Sequence, residues 1–198
     1  MILSDKDINK AIDNGDLIVI YQSKIDVKSS SICLHLSDKI LSINNSASEI
    51  DIRREETYPI TTAQKMDPDD GYVVLPGDFL LGATAEKIAL SNNISGHLSN
   101  ISGLARLGLN SILSTYVSPG FGEGLARPIT LELYNTSKSP IRIYPGMRIC
   151  HLLLSPLLTA TKEGYDLKNP GKYMTNAPQG SEFYKNTGLP PIPKQAAK

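Results

Sequence analysis

Two polar side chains four residues apart are the first candidates for chemistry in this sequence. Ser102 and Arg106 lie between glycines in the segment 101–109, whose other residues are mostly apolar. Burying an unpaired guanidinium is expensive, so this arginine requires an anionic partner. The candidate partner is Glu132, which interrupts the apolar strand pattern at 129–135. Residue types alone leave open whether the two groups form a functional site or a structural ion pair between strands.

The elements that would position these side chains are mostly short β-strands. Ser4 and Asp7 resemble a capping box, an apolar face follows, and Gly15 supplies a C-terminal stop, which predicts one short helix over about 5–14. After it, short apolar or alternating runs are separated by Pro, Gly, Asn, Asp and Ser, a pattern typical of a mostly antiparallel sandwich or barrel. The predicted strands are 17–21, 31–36, 40–43, 71–75, 78–83, 86–90, 96–98, 111–117, 129–134, 141–144 and 148–154.

The composition limits the class of protein. A length of 198 residues suits one domain, and twenty basic residues balance twenty acidic ones, so no overall field steers the chain toward nucleic acid or an anionic membrane. Cys33 and Cys150 are too few for a disulfide framework. The N-terminal segment does not resemble a signal peptide, and no apolar run is long enough to span a bilayer. We therefore expect a cytoplasmic protein without a nucleic-acid or membrane partner.

Several familiar chemistries lack their residues. A zinc deaminase needs a Cys-x-x-Cys pair, whereas the two cysteines here are far apart. The three histidines, His35, His97 and His151, are isolated at strand-like positions and are better explained as structural residues than as zinc ligands. The sequence has neither a nucleophile elbow nor a Walker loop. What remains is a metal-independent site of Glu132 and the Ser102–Arg106 segment, able to take a magnesium-bound phosphate ligand.

The tail that starts at about Lys162 differs in composition from the rest of the chain. It is rich in Pro, Gly, Asn and Lys and poor in aliphatic residues. Such a segment cannot bury enough apolar surface to order itself. The sequence therefore predicts a β domain over 1–161 and a partly flexible C-terminal arm over 162–198 that becomes ordered against a ligand or partner.

A series of motifs runs from Met1 to about Ser181. In chain order they occupy 2–8, 74–82, 84–86, 101–109, 118–121, 130–135 and 145–149, with Tyr165, Lys172 and Tyr173 at the end. In this order they resemble the deoxycytidine triphosphate (dCTP) deaminase family of the trimeric dUTPase superfamily. The resemblance implies a distorted antiparallel β-barrel or jelly roll with a short N-terminal helix and an arm that closes over the nucleotide.

The resemblance also implies a zinc-free mechanism. Glu132 matches a glutamate that takes a proton from the water attacking cytosine C4 and passes it toward the leaving ammonia. Ser102 matches a serine that hydrogen-bonds near the reacting centre, and Arg106 matches an arginine that pairs with the glutamate. The active sites of the family lie between subunits of a homotrimer, and the nucleotide triphosphate carries Mg²⁺. The substrate-binding residues so implied are Ser102, Gly103, Arg106, Ser114, Ser118, Phe121, Tyr165, Lys172, Asn176 and Gln179, with the Ser114 backbone carbonyl holding the water.

Some positions depart from the family pattern. Ile101 replaces a basic residue that helps to bind phosphate, and Gly103 replaces a second serine. Ser118 replaces an aspartate that reads the sugar and, in dUTP-hydrolysing members, handles water. Arg127 or Lys172 would then have to supply the missing phosphate cation.

The main prediction is a dCTP deaminase that forms dUTP and ammonia. One alternative is a dUTPase or a bifunctional deaminase–diphosphatase. The alternative from another class is a catalytically weak homologue that binds a nucleotide or a protein partner.

Overall fold

Short β-strands make up most of the regular structure, as the sequence predicts. The computed structural model describes residues 1–44 and 48–190. The helices are α1 (Asp5–Asp13), α2 (Ser102–Arg106) and α3 (Tyr165–Lys168), with 3₁₀ turns at Glu55–Thr57 and Phe183–Asn186. The strands are β1 (Leu17–Ile20), β2 (Asp26–Val27), β3 (Ile32–His35), β4 (Lys39–Asn44), β5 (Ile60–Lys65), β6 (Tyr72–Val74), β7 (Phe79–Ala83), β8 (Lys87–Leu90), β9 (Ile94–Asn100), β10 (Leu109–Asn110), β11 (Tyr116–Val117), β12 (Thr130–Asn135), β13 (Ile141–Ile143) and β14 (Arg148–Pro156).

The N-terminal helix forms where its capping signals place it. The Ser4 hydroxyl accepts a hydrogen bond from the Asp7 backbone N–H, and the Asp7 carboxylate accepts one from the Ser4 N–H, each at 3.3 Å. Ile8 and Ala11 are buried, and Gly15 follows the helix with a φ of 77°. The helix predicted over about 5–14 is therefore confirmed.

Two five-stranded antiparallel sheets form the body of the domain. One has the order β10-β12-β7-β4-β5 and the other β11-β9-β14-β3-β2. Both contribute to one core, with Leu80 and Leu131 from the first sheet and Leu34 and Leu152 from the second. In the described residues no strand ladder joins the two sheets, so the fold is jelly-roll-like rather than a closed barrel. Of the two predicted forms, a distorted barrel or a jelly roll, the structure agrees with the jelly roll.

The predicted strand at 111–117 is wrong over most of its length. The chain pairs at β10 and again at β11, and residues 111–115 between them are irregular. The reason is local. The Asn100 and Asn110 side chains bond to each other and accept hydrogen bonds from the backbone N–H groups of Ser111 and Ile112, so these groups do not pair with a neighbouring strand. The next two N–H groups of this irregular stretch, those of Leu113 and Ser114, bond to the Glu132 carboxylate.

His35 has a structural role, as expected from its isolation in the sequence. Its backbone N–H donates to Glu86 Oε2 at 2.9 Å, and its Nδ1 lies 2.6 Å from Glu86 Oε1. The Tyr21 ring stacks on the imidazole with ring centroids 5.2 Å apart. The buried Glu86 carboxylate is thus fully hydrogen-bonded within the domain.

In the described part of the chain, no helix is both long and apolar enough to cross a membrane.

Candidate active site

Glu132 faces away from the core because of its position in β12. Burial alternates along this strand, with Leu131 and Leu133 fully buried and Glu132 between them on the opposite face. Pairing with β7, opposite Leu81, fixes the height of Glu132 along the sheet. The half-buried carboxylate therefore projects into a cleft beside the sheet.

The irregular stretch after β10 holds the Glu132 carboxylate. Glu132 Oε2 accepts hydrogen bonds from the backbone N–H groups of Leu113 and Ser114, both at 3.1 Å. Two donors on one oxygen fix the orientation of the carboxylate. Within residues 1–44 and 48–190, no group hydrogen-bonds to Oε1. This oxygen is available to a ligand or a water.

The cleft has a volume of about 1010 Å³, which is enough for a nucleotide. Six of the predicted site residues line it: Ser114, Ser118, Phe121, Glu132, Tyr165 and Gln179. These residues come from β12, the irregular stretch after β10, the turn before β12 and the C-terminal arm. The fold therefore brings together residues that are separated by up to 65 positions in the sequence.

The C-terminal arm covers one side of this cleft. Residues 179–184 line it together with Tyr173, whose φ of 51° marks a sharp bend in the chain. The Tyr184 ring packs edge-on against Tyr58, and its hydroxyl donates to Glu55 Oε1 at 2.5 Å. Gln179 Oε1 is buried and has no hydrogen-bond partner in the described residues. The arm thus presents an unsatisfied acceptor, which is a candidate for ligand recognition. Residues 191–198 of the predicted arm lie outside the described residues.

Three of the predicted site residues do not reach the cleft within one chain. Ser102, Gly103 and Arg106 lie on α2 and are exposed. In the described chain Arg106 forms no ion pair with Glu132, whose carboxylate bonds to the backbone N–H groups of residues 113 and 114. The intrachain partnership that the sequence suggested is therefore not formed. The role of these residues in a site shared between chains stays a prediction.

Two predicted arm residues also lie outside the cleft. The Asn176 carbonyl accepts a hydrogen bond from Lys39 Nζ at 3.1 Å, and the residue lines a second groove of about 610 Å³. Lys172 lines neither opening. Tyr173 and residues 179–184 line the cleft together with Glu132, whereas Lys172 and Asn176 do not. Ser114 contributes its N–H to the carboxylate, while the water-holding role of its carbonyl stays a prediction.

Arg127 does not act as a phosphate ligand in this arrangement. Its side chain is 1% exposed and forms a bidentate pair with Asp166, at 2.7 and 2.5 Å, beneath the Phe121 ring. A guanidinium so placed is not accessible to phosphate, which corrects the suggestion from the sequence. The sequence did not predict this pair, because no spacing pattern links two residues that are 39 positions apart. The one sequence signal was the basic residue at the end of the inserted loop 123–127.

Two tyrosines of the cleft keep their protons at neutral pH. Burial, with a further contribution from Tyr173, raises the pKa of Tyr165. The hydrogen bond to Glu55 raises the pKa of Tyr184. The Tyr165 hydroxyl can therefore donate to an anionic or carbonyl oxygen of a ligand, whereas that of Tyr184 already donates to Glu55. No group of three or more His, Cys, Asp or Glu side chains that could hold a metal occurs in the parts of the chain described.

Comparisons with known proteins identify one family. A family model described as "dCTP deaminase-like" matches residues 2–157. A protein from Corynebacterium jeikeium named "dCTP deaminase, dUMP-forming" is 35% identical over 190 residues, covering 94% of this chain and 98% of the relative. A protein of the same name from Sulfurihydrogenibium sp. is 34% identical over 177 residues, covering 89% and 96%.

A solved structure also shows the fold. The 2'-deoxycytidine 5'-triphosphate deaminase from Agrobacterium tumefaciens matches with a TM-score of 0.57 at 19% identity, over 77% of this chain and 47% of that chain. Since the family model spans most of the sequence, the match does not depend on a single motif. This chain belongs to the dCTP deaminase-like family.

Proposed function

We propose that this protein catalyses the hydrolytic deamination of dCTP. The observation that carries the proposal is the Glu132 carboxylate, with one oxygen held by two backbone N–H groups and the other facing a cleft of nucleotide size. A carboxylate held in this way can accept a proton from a water and deliver it to a leaving group. The relatives named as dCTP deaminases supply the substrate class.

The proposed reaction consumes one water for each ammonia released. The water oxygen bonds to cytosine C4 as Glu132 accepts a proton from it. The C4–N bond then breaks, the amino nitrogen takes that proton and leaves as ammonia, and the second water proton moves to N3, so that a C4 carbonyl and an N3–H remain. The fixed orientation of Glu132 keeps both transfers within reach of one carboxylate. No metal takes part in these steps, and Mg²⁺ arrives bound to the triphosphate as part of the substrate.

We propose further that the complete site is formed between copies of the chain in a homotrimer. The cleft is lined by Glu55, Glu132 and Glu182, and its described lining includes no Lys, Arg or His. A triphosphate would meet only like charge there. Arg106, exposed on α2 of a second copy, would supply the missing cation and reach Glu132. Large apolar side chains exposed near α2 and the cleft, Leu107, Leu113 and Tyr116, fit a surface that another chain covers.

The residues of the cleft and the names of the relatives indicate different products. The relatives are named dUMP-forming, which requires a second hydrolysis that releases pyrophosphate. Ser118 lines the cleft where a carboxylate would serve that second step. Because a serine is a poor general base, we propose dUTP and ammonia as the products. The second candidate, favoured by the names of the relatives, is formation of dUMP.

One assay separates these functions. Purified protein is incubated with Mg²⁺ and dCTP, dUTP, dCMP or CTP, and ammonia, pyrophosphate and the nucleotides are quantified. Ammonia and dUTP from dCTP support the proposal, whereas pyrophosphate equal to ammonia supports dUMP formation. Pyrophosphate from dUTP without ammonia from dCTP would assign a dUTPase. If no nucleotide is turned over but dCTP raises the melting temperature, the protein is a nucleotide-binding homologue.

A further inference from the structure

A buried ion pair links the cleft wall to the root of the C-terminal arm. Arg127 precedes β12 and exchanges backbone hydrogen bonds with Ile88 of β8, at 2.9 and 3.2 Å. Asp166 lies in α3, the first ordered turn of the arm. Both guanidinium NH₂ groups bond to the Asp166 carboxylate, which is itself 8% exposed. A bidentate pair fixes angle as well as distance, so it constrains how α3 sits on the domain.

Close backbone contacts also join the start of α3 to the turn before β12. A Cβ on Gly120, whose φ is 75°, would lie 2.5 Å from the Gly164 Cα. The Tyr165 N–H donates to the Pro119 carbonyl at 2.8 Å, next to this glycine contact. The arm therefore meets the turn before β12 through backbone on both sides, and the ion pair lies directly beside that contact.

The ion pair lies behind residues that line the cleft. The Arg127 guanidinium is 4.2 Å from the centroid of the Phe121 ring, and Pro128 follows Arg127 in the chain. Phe121, Pro128 and Tyr165 all line the cleft, and Tyr165 precedes Asp166. Neither Arg127 nor Asp166 lines the cleft itself. They are placed to act through their neighbours rather than on the substrate.

We propose that the Arg127–Asp166 pair is a positioning device that fixes the root of the arm so that Tyr165 and residues 179–184 close over the bound nucleotide. This inference rests on the proposed function. A buried ion pair is a poor source of stability, because desolvation offsets most of the attraction between its charges. Its bidentate geometry is, however, a good source of orientation. Loss of the pair is therefore expected to raise KM for dCTP with little change in kcat, since Glu132 is held independently by residues 113–114.

The test compares two variants with a matched control. Asp166→Asn removes the carboxylate charge, and the double variant Arg127→Met/Asp166→Leu removes both charges while keeping apolar volume, which protects the fold. Glu163→Gln, at an exposed position three residues before Asp166, is the control. KM and kcat for dCTP are measured together with hydrogen–deuterium exchange of arm peptides, without nucleotide and with dCTP.

The expected result is a KM raised by about tenfold or more in both variants, with kcat changed less than about twofold. Exchange over 165–184 should be faster than in the wild type, while Glu163→Gln behaves as the wild type. If the apolar double variant keeps wild-type KM and arm exchange, packing alone positions the arm and the proposal is overturned. Exchange measured without nucleotide tests the role of the ion pair even if the wild type fails to deaminate dCTP. A failure of this inference can therefore be told apart from a failure of the proposed function.

Discussion

The Ser114 backbone N–H and the Glu132 carboxylate lie 3.1 Å apart, and this bond connects the irregular stretch after β10 to the centre of β12. The neighbouring Leu113 N–H donates to the same oxygen. The orientation of the proposed proton carrier thus depends on main-chain atoms, which no side-chain substitution at 113 or 114 removes. A substitution at residue 132 that keeps an acceptor oxygen for these N–H groups should therefore disturb the surrounding structure little.

Glu132→Gln is expected to lower kcat for deamination by about 10²–10⁴-fold, because an amide cannot accept and return a proton. Its side-chain oxygen can still accept the two backbone hydrogen bonds, so the melting temperature should change little. Ammonia release from dCTP and thermal unfolding measure the two effects. Glu56→Gln, at an exposed position outside the cleft, is the matched control and should keep full activity. Full activity of Glu132→Gln would exclude the proposed mechanism.

The shared site predicts that two inactive variants restore activity when they are mixed. Arg106→Ala and Glu132→Gln should each be inactive alone. In trimers assembled from equal amounts of both, about a quarter of the interfaces join an intact Glu132 to an intact Arg106. Each mixed trimer has one such interface in three, so co-expressed chains separated from homotrimers by two affinity tags should recover about a third of the wild-type kcat. A monomer in light scattering, or no recovery in mixed trimers, would contradict the shared site.

Ser118→Asp is expected to shift the products toward dUMP. The new carboxylate would lie in the same cleft as Glu132 and could activate a second water for attack on the triphosphate. The ratio of pyrophosphate to ammonia, measured with dCTP, should rise several-fold, whereas Ser118→Asn should leave it at the wild-type value. If the wild type already forms one pyrophosphate per ammonia, dUMP is its product and the serine does not limit the second step.

The parts of the site that follow from local periodicity could be predicted from the sequence. Burial alternates around Glu132, so its side chain lies opposite the core, as the two-residue period of a strand requires. The pairing of Arg127 with Asp166 could not be predicted, since it depends on how the arm packs on the turn before β12. The position of Arg106 could not be derived either. Its apolar segment suggested burial, but the five residues that include it form a short exposed helix.

The tip of the arm should loosen at alkaline pH. The hydrogen bond to Glu55 raises the pKa of Tyr184 above the ordinary value of 10.0. The folded state thus holds this proton more tightly than the open arm does. The stabilisation from the contact is fully present below about pH 10 and is lost as the pH rises through the raised pKa, because tyrosinate would face a carboxylate.

Two variants isolate this contact at the tip. Tyr184→Phe keeps the ring against Tyr58 but removes the hydroxyl, so the difference in tyrosinate absorbance between wild type and variant gives the titration of Tyr184 alone. Glu55→Gln removes the facing charge and should bring that titration back toward pH 10. The melting temperature of the wild type should exceed that of Tyr184→Phe at neutral pH, and the two should converge above the pKa. A Tyr184 titration unchanged by Glu55→Gln would show that the contact does not hold the arm in solution.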